Sequence, residues 1–351
     1  MLCGLRVLFT LALLFTTQGS WAAVILQYHH VSETTPKVTS VTPAQFKQQM
    51  QYLADNNFHV VPLAEVVQAI KRGQELPAKT VVITFDDGYR SIFETARPIL
   101  KSLGFPYTLF VSVTPTAKGY REMMSWQQLR QLADEGVTIA NHSYGHEHLI
   151  RKLPGETEAQ WLARIKQNLQ DTEAELMAKT GQDVKMLAYP YGEYNTALQQ
   201  LLSALGYVGL GQQSGAAGTY SSLTALPRFP VAGAYANMAS LQVKLQARNM
   251  PVLSSTPTNP ELSDGNWRPT LQLTLEMQDI NPEQLLCYLP GQDAVKPAWT
   301  SKNSFQIQAT KPLPVGRSRY NCTVPSKHGS GYYWFSQAWV RPDDQGQWLH
   351  E

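Results

Sequence analysis

The sequence predicts an α/β protein, with an incomplete or small (β/α) barrel over residues 23–250 and a small C-terminal β-sandwich over 261–351. Three observations predict it. From Val24 to about Arg228, short apolar runs alternate with amphipathic stretches that end on glycine, the pattern of parallel strand–helix units. A Pro/Ser/Thr-rich segment, PVLSSTPTNP at 251–260, then reads as a linker. Beyond it, apolar residues recur at every second position, the period of a half-buried strand. The 351 residues leave room for two domains.

Taken in order, residues 1–22 read as a secretory signal. Arg6 is followed by the apolar run 7–15, and Ser20-Trp21-Ala22 supplies the small residues before a cleavage point after Ala22. The mature chain is therefore expected to be secreted or periplasmic. That run is about half of the ~20 residues that cross a bilayer, so no transmembrane segment is expected. Strands are predicted at 24–28, 81–85, 107–113, 137–140, 185–189 and 207–210. Thr42 and Pro43 open the first helix as cap and N1 residue. Helices over 91–103, 125–135, 156–180 and 195–205 each close on a glycine, which takes the left-handed C′ conformation at least cost. The 156–180 helix, charged throughout, is expected on the solvated outside. About six or seven such units fall short of an eightfold barrel.

In the C-terminal part, Leu271, Leu273, Leu275 and Met277 alternate with polar residues, and 305–309 and 332–340 are further strands. Tyr320-Asn321-Cys322 has the Tyr-x-Cys spacing of an immunoglobulin-like corner. Once a signal is removed, Cys287 and Cys322 remain, and an oxidising compartment favours a disulfide between them. Tyr332, Tyr333, Trp334 and Trp339 could stack sugars, but alternation turns at least half of them into the sandwich core, so packing is the expected role. With 43% apolar residues the chain is not disordered, and a net charge of +2 argues against a nucleic-acid partner.

The chemistry lies at predicted strand ends. Asp86 and Asp87 follow the run 81–85, where β/α folds place active sites. Such a pair can bind a cation with one carboxylate and take a proton with the other. His142 and His146 follow the strand 137–140, and a spacing of four on a helix or tight loop turns both rings to one side. Two imidazoles and a carboxylate make a hydrolytic metal arrangement, with zinc the simplest ion. Tyr189-Pro190-Tyr191-Gly192 closes another strand, and such a turn can aim a backbone N–H at a developing oxyanion.

In this order and at these separations, TFDDG (84–88), HSYGH (142–146) and AYPYG (188–192) resemble the motifs of the polysaccharide deacetylase family, carbohydrate esterase family 4, with its NodB homology domain. The likeness covers about residues 24–230. It implies a distorted (β/α) barrel of the NodB type and metal-dependent removal of N-acetyl groups from an N-acetylglucosamine-containing polysaccharide, releasing acetate. Carried over, Asp86 is the general base, and Asp87, His142 and His146 hold a divalent metal, zinc by expectation. Tyr191 lends its N–H to the oxyanion. QYHHV at 27–31 is similar to the opening of exported members resembling poly-β-1,6-N-acetylglucosamine N-deacetylases, which would put His29 in contact with substrate. Two departures stand out. Leu187 occupies the place where many members carry an arginine that orients the base, and Arg228 is the candidate replacement. No Leu-x-His occurs in 195–250, leaving the general acid to His29, to the proton returned from Asp86, or to a metal-bound water. The expected partner is the acetylated polysaccharide, met by a monomer. The rival readings are a catalytically weak glycan-binding protein and an O-acetyl esterase using the same metal site.

Overall fold

The computed structural model describes residues 22–263 and 265–349. The expected signal segment, Ala22 apart, lies outside the described residues. Eight parallel strands form one curled sheet: β1 (Val24–Tyr28), β2 (His59–Val60), β3 (Thr80–Phe85), β4 (Thr108–Val111), β5 (Thr138–Asn141), β6 (Met186–Ala188), β7 (Val208–Leu210) and β8 (Phe229–Pro230). Their order is β8-β1-β3-β4-β5-β6-β7, with β2 also beside β3. A lone parallel bridge between Leu210 and Leu226 draws the open ends together. The barrel is thus incomplete, as the short count of units implied. Strands β1 and β3 are buried along their whole length, which is why they appear in the sequence as unbroken apolar runs. Leu26, Tyr28, Ile83 and Phe85 pack with Phe46, Met50 and Leu53 of α1 (Pro43–Asp55). Ile25 and Val82 pack with Leu63, Val66 and Ile70 of α2 (Leu63–Lys71).

The remaining helices are α3 (Arg97–Leu103), α4 (Val113–Ala117), α5 (Trp126–Asp134), α6 (Glu158–Thr180), α7 (Thr196–Ala204) and α8 (Met238–Lys244). Thr42 and Thr157 each cap their helix through a reciprocal bond with a glutamine three residues on. α6 ends on Gly181 at φ 77°. It is solvated on one side only: Trp161, Ile165, Leu169 and Leu176 are buried along the other, together with Glu173.

The segment 251–260 corrects the linker expectation. Val252–Thr256 is strand β10, paired antiparallel with β11 (Thr270–Leu275), and Ala247–Asn249 is strand β9. Serine and threonine there satisfy an edge strand whose side chains are largely solvated, and composition alone does not separate that from a tether. The later strands are β12 (Leu286–Tyr288), β13 (Ala298–Trp299), β14 (Ser304–Gln308), β15 (Gly316–Pro325) and β16 (Tyr332–Arg341). They complete two sheets, β9-β16-β15-β12 and β10-β11-β14-β13. Cys287 and Cys322 stand opposite each other on β12 and β15 and are bonded. The Tyr320 hydroxyl accepts from Ala309 N–H and donates to Pro269 O, each at 3.1 Å, which fastens the corner. Tyr333 and Trp339 are in the sandwich core, whereas Trp334 packs edge-on against Phe229 of β8 at 5.2 Å. Among the described residues, no helix is long and apolar enough to cross a membrane.

Glu173 ties α6 to the end of β5 by accepting from Asn141 Nδ2 at 3.1 Å, while its other oxygen is buried without a partner. Burial pushes its carboxyl up to about 7, against hydrogen bonds from Asn141 and Tyr207 that lower it. Because the fold prefers the protonated form, stability falls as pH rises from the ordinary value of 4.5 through about 7. Glu173→Gln should match the parent chain near pH 4.5 and exceed it at pH 8 by up to about 3 kcal/mol. Urea denaturation at the two pH values checks this; equal stabilities at both would contradict it.

Candidate active site

Asp86 and Asp87 leave β3, His142 leaves β5, and Tyr191 follows β6, all at the carboxyl ends of their strands. Asp87 Oδ1 lies 3.1 Å from His142 Nε2 and 3.2 Å from His146 Nε2. The ligating atoms of these three residues all fall within 4.8 Å of one another. His142 is buried, and its Nδ1–H donates to Ala188 O at 2.7 Å. In a neutral ring that leaves Nε2 with its lone pair, the tautomer a metal takes. This lone pair faces Asp87 Oδ1, itself buried with no hydrogen-bond partner. Two acceptors at that distance need positive charge between them. Two imidazole nitrogens and a carboxylate oxygen suit a divalent cation. With a proton instead of a metal, the same neighbours act on the residues themselves. Burial opposes charge on His142, but Asp87 and Asp86 outweigh it and raise its affinity for a proton. Burial likewise opposes ionisation of Asp87, and His142 and His146, each able to turn a protonated Nε2 on it, hold its carboxyl well below the usual range.

The local backbone is strained around this cluster. Asp87 (φ 74°), Ser143 (φ 65°), His146 (φ 62°) and Tyr191 (φ 59°) are all left-handed without being glycine. Such conformations cost about 1–3 kcal/mol each and persist only where surroundings fix them. The segment bearing the two histidines is a loop, not a helix. Asn141 Oδ1 accepts from Ser143 N–H at 2.8 Å, and Ser143 Oγ donates to Glu147 at 2.9 Å. The Tyr191 ring lies flat on His148, with centroids 3.8 Å apart and planes at 4°, and meets His146 edge-on at 4.5 Å. His148 in turn bonds Glu193 at 2.7 Å.

Asp86 is fully buried. Arg228 Nη1 donates to its Oδ1 at 2.7 Å and Nη2 to its Oδ2 at 2.8 Å, while Gln27 Nε2 donates to Oδ2 at 2.6 Å. Burial raises this carboxyl, but the Arg228 charge and the other cations outweigh burial and lower it. Arg228 also bonds Gly211 O at 2.9 Å. Leu187 is buried in an apolar cluster, so the guanidinium beside Asp86 comes from the far end of the barrel. His29 Nε2 is 4.0 Å from Asp86 Oδ2 and remains partly exposed. Its neighbour His30 stacks on Tyr89 at 3.6 Å, and burial depresses its pKa to about 4.

The structure therefore brings Asp86, Asp87, His142, His146, Tyr191, His29 and Arg228 to one end of the barrel. Sequence reasoning missed Gln27, the His148–Glu193 pair, and Arg317 of β15, whose guanidinium sits 5.3 Å from the Tyr191 ring centroid. Gln27 lay inside the quoted QYHHV stretch, yet nothing in its neighbours marks it as a bond donor to Asp86. Arg317 is on β15 of the sandwich, far along the chain from Tyr191, and had no signal.

Residues 73–210 match the family model described as polysaccharide deacetylase. The match takes in Asp86, Asp87, His142, His146 and Tyr191 but neither His29 nor Arg228. The chain is 28% identical over 246 residues to the poly-beta-1,6-N-acetyl-D-glucosamine N-deacetylase of Escherichia coli (strain K12), covering 60% of this chain and 36% of that protein. It is 27% identical over 192 residues to the protein of the same name from Staphylococcus aureus (strain MRSA252), covering 50% of this chain and 66% of the other. The chain thus spans about a third of the first relative and two thirds of the second. In fold it is similar to IcaB from Ammonifex degensii, with a TM-score of 0.57 and 24% identity over 66% of this chain and 99% of that one.

Removing one half of a buried ion pair strands the other. Arg228→Met is expected to cost about 3–5 kcal/mol of stability, and adding Asp86→Asn should recover most of the loss. Denaturant titration of the single and double variants measures this. A double variant no more stable than Arg228→Met would mean that the pair is not what holds this region.

Proposed function

We propose that this chain, which carries a polysaccharide deacetylase domain across residues 73–210, is an exported, metal-dependent hydrolase. It would remove N-acetyl groups from an N-acetylglucosamine-containing polysaccharide and release acetate. One observation carries the reading: the convergence of Asp87, His142 and His146 beside a second carboxylate, Asp86, clamped by Arg228. Export rests on Arg6, the apolar run 7–15 and the small residues ending at Ala22.

A divalent ion held by Asp87, His142 and His146, zinc being the simplest fit, supplies Lewis acidity toward the acetyl carbonyl and toward water. The residues do the rest. Asp86 Oδ2 already accepts from Gln27 and Arg228, while Oδ1 accepts from Arg228 alone. A carboxylate oxygen has two lone pairs, so Oδ1 keeps one for the proton of the attacking water. Arg228 holds Asp86 ionised at neutral pH and fixes its direction. This lowers its intrinsic basicity, which proximity to the bound water offsets. As the water oxygen bonds the acetyl carbon, the negative charge on the carbonyl oxygen meets the Tyr191 N–H, held by a left-handed backbone under its stacked ring. When the C–N bond breaks, the amine takes a proton from Asp86 or from His29, which lies beside it at the mouth of the barrel.

The test is acetate release from β-1,6-linked N-acetylglucosamine oligomers, with and without chelator. Acetate should appear, stop on chelation and return with metal. Asp86→Asn should lower kcat by about 10²–10⁴-fold while bound metal stays, and His142→Ala should lose the metal itself. An Asp86→Asn chain working at the parent rate would refute the base assignment. Retained metal with no acetate from any glycan would favour a binding protein, and turnover of ester acetates alone would favour an esterase.

A further inference from the structure

On β15, Arg317 and Arg319 are two residues apart and so lie on one face of the strand. That face meets the barrel: Arg319 Nη1 donates to Gln212 O at 3.1 Å and Ser214 Oγ at 3.3 Å. Between this strand and the turn after β6 is a hollow of about 90 Å³, lined by Tyr191, Gly192, Gln212, Arg317, Arg319 and Trp339 among others, with no acid in its wall among the described residues. The volume is far below the roughly 300 Å³ at which ligand pockets begin, so it admits a functional group and not a sugar ring.

The charges around it do not balance. Among the described residues, no carboxylate lies within ion-pair distance of Arg319. Its acceptors are neutral and both use Nη1, so among the described residues the other N–H donors of the guanidinium have no protein acceptor and face the hollow or solvent. Burial makes its charge less favourable, opposed only by Tyr235. Arg317 lies 3.9 Å from Glu193, which also serves His148 at 2.7 Å and Arg151 at 4.0 Å, so the unbalanced charge is that of Arg319. A partly buried guanidinium without a counter-charge is costly unless a ligand supplies one, and a planar guanidinium favours a bidentate oxyanion.

We propose that the hollow beside Tyr191 is a carboxylate-binding subsite, with Arg319 as its principal donor and Arg317 at its mouth. The ligand is a carboxylate, either free as acetate or borne on a sugar as a uronate. The inference goes beyond deacetylation and does not depend on it, because its readout is binding.

The experiment titrates the full chain, as isolated, with glucuronate, glucose and sodium acetate by calorimetry, and repeats this for Arg319→Met and Arg317→Met. Each variant's thermal midpoint is recorded, and Arg319→Met is expected to melt no lower than the parent, since it removes an unpaired charge. The parent should bind glucuronate at least tenfold tighter than glucose, and each variant should lose that preference. Acetate binding as tightly as glucuronate would identify the free ion as the source; glucuronate alone would identify a sugar-borne group. Two results would overturn the proposal: no preference for glucuronate over glucose in the parent, or an undiminished preference in folded Arg319→Met. If Arg319→Met melts below the parent, the Arg317→Met titration decides in the same way.

Discussion

The buried pair between Arg228 and Asp86 is the interaction on which the rest of this structure depends. Arg228 immediately precedes β8, while Asp86 follows β3, and the same guanidinium reaches Gly211 just after β7 and Thr84 within β3. One side chain therefore ties together the two open ends of the sheet, beside the bridge at Leu210–Leu226 and the backbone bond from Arg228 N–H to Gln213 O. Desolvating two ions is expensive, and only close, two-pronged geometry with further hydrogen bonds offsets it. Both conditions hold here, with Gln27 completing the carboxylate. Closing the barrel and aiming its innermost carboxylate are thus one physical event.

The second carboxylate follows the opposite logic. Asp86 is satisfied by fixed protein charges, whereas Asp87 is left with a buried oxygen facing imidazole nitrogen. Adjacent residues of the same type are separated by the left-handed backbone at Asp87, which turns the second away from the first. The strain concentrated at Asp87, Ser143, His146 and Tyr191 marks where the chain gives up local comfort to hold unlike demands close together. The Asn141–Ser143 bond and the Tyr191–His148 stack are the surroundings that hold two of those four conformations in place.

Much of this was legible in the residues. Fully buried parallel strands print unbroken apolar runs, and the three motifs sit directly at the ends of β3, β5 and β6. Arg228 was also findable, because the family resemblance calls for an arginine that orients the base and Leu187 occupies its usual place. What stayed hidden has a common cause. Gln27 and Asp86, His148 and Glu193, and Arg317 and Tyr191 are pairs made by folding, with no fixed spacing to detect. The edge strand β10 was hidden for another reason: a solvated edge and a flexible tether draw on the same residues, and only the pairing with β11 tells them apart.

The same limit bears on net charge. A balance of +2 over the chain argued against a nucleic-acid partner, yet charge acts locally, over about 8–10 Å at physiological salt. Beside Tyr191, two arginines and a histidine lie within ion-pair distance of one glutamate, so the mouth of a nearly neutral protein is basic where the sandwich meets the barrel. That patch exists only because the sandwich is bound to the barrel: β9 runs from the barrel chain into the sheet of β15 and β16, and Trp334 is wedged against Phe229. The sandwich is accordingly a wall of the site and not a separable appendage, since removing it would strip Arg317 from the ring of Tyr191 and expose the apolar flank of β8.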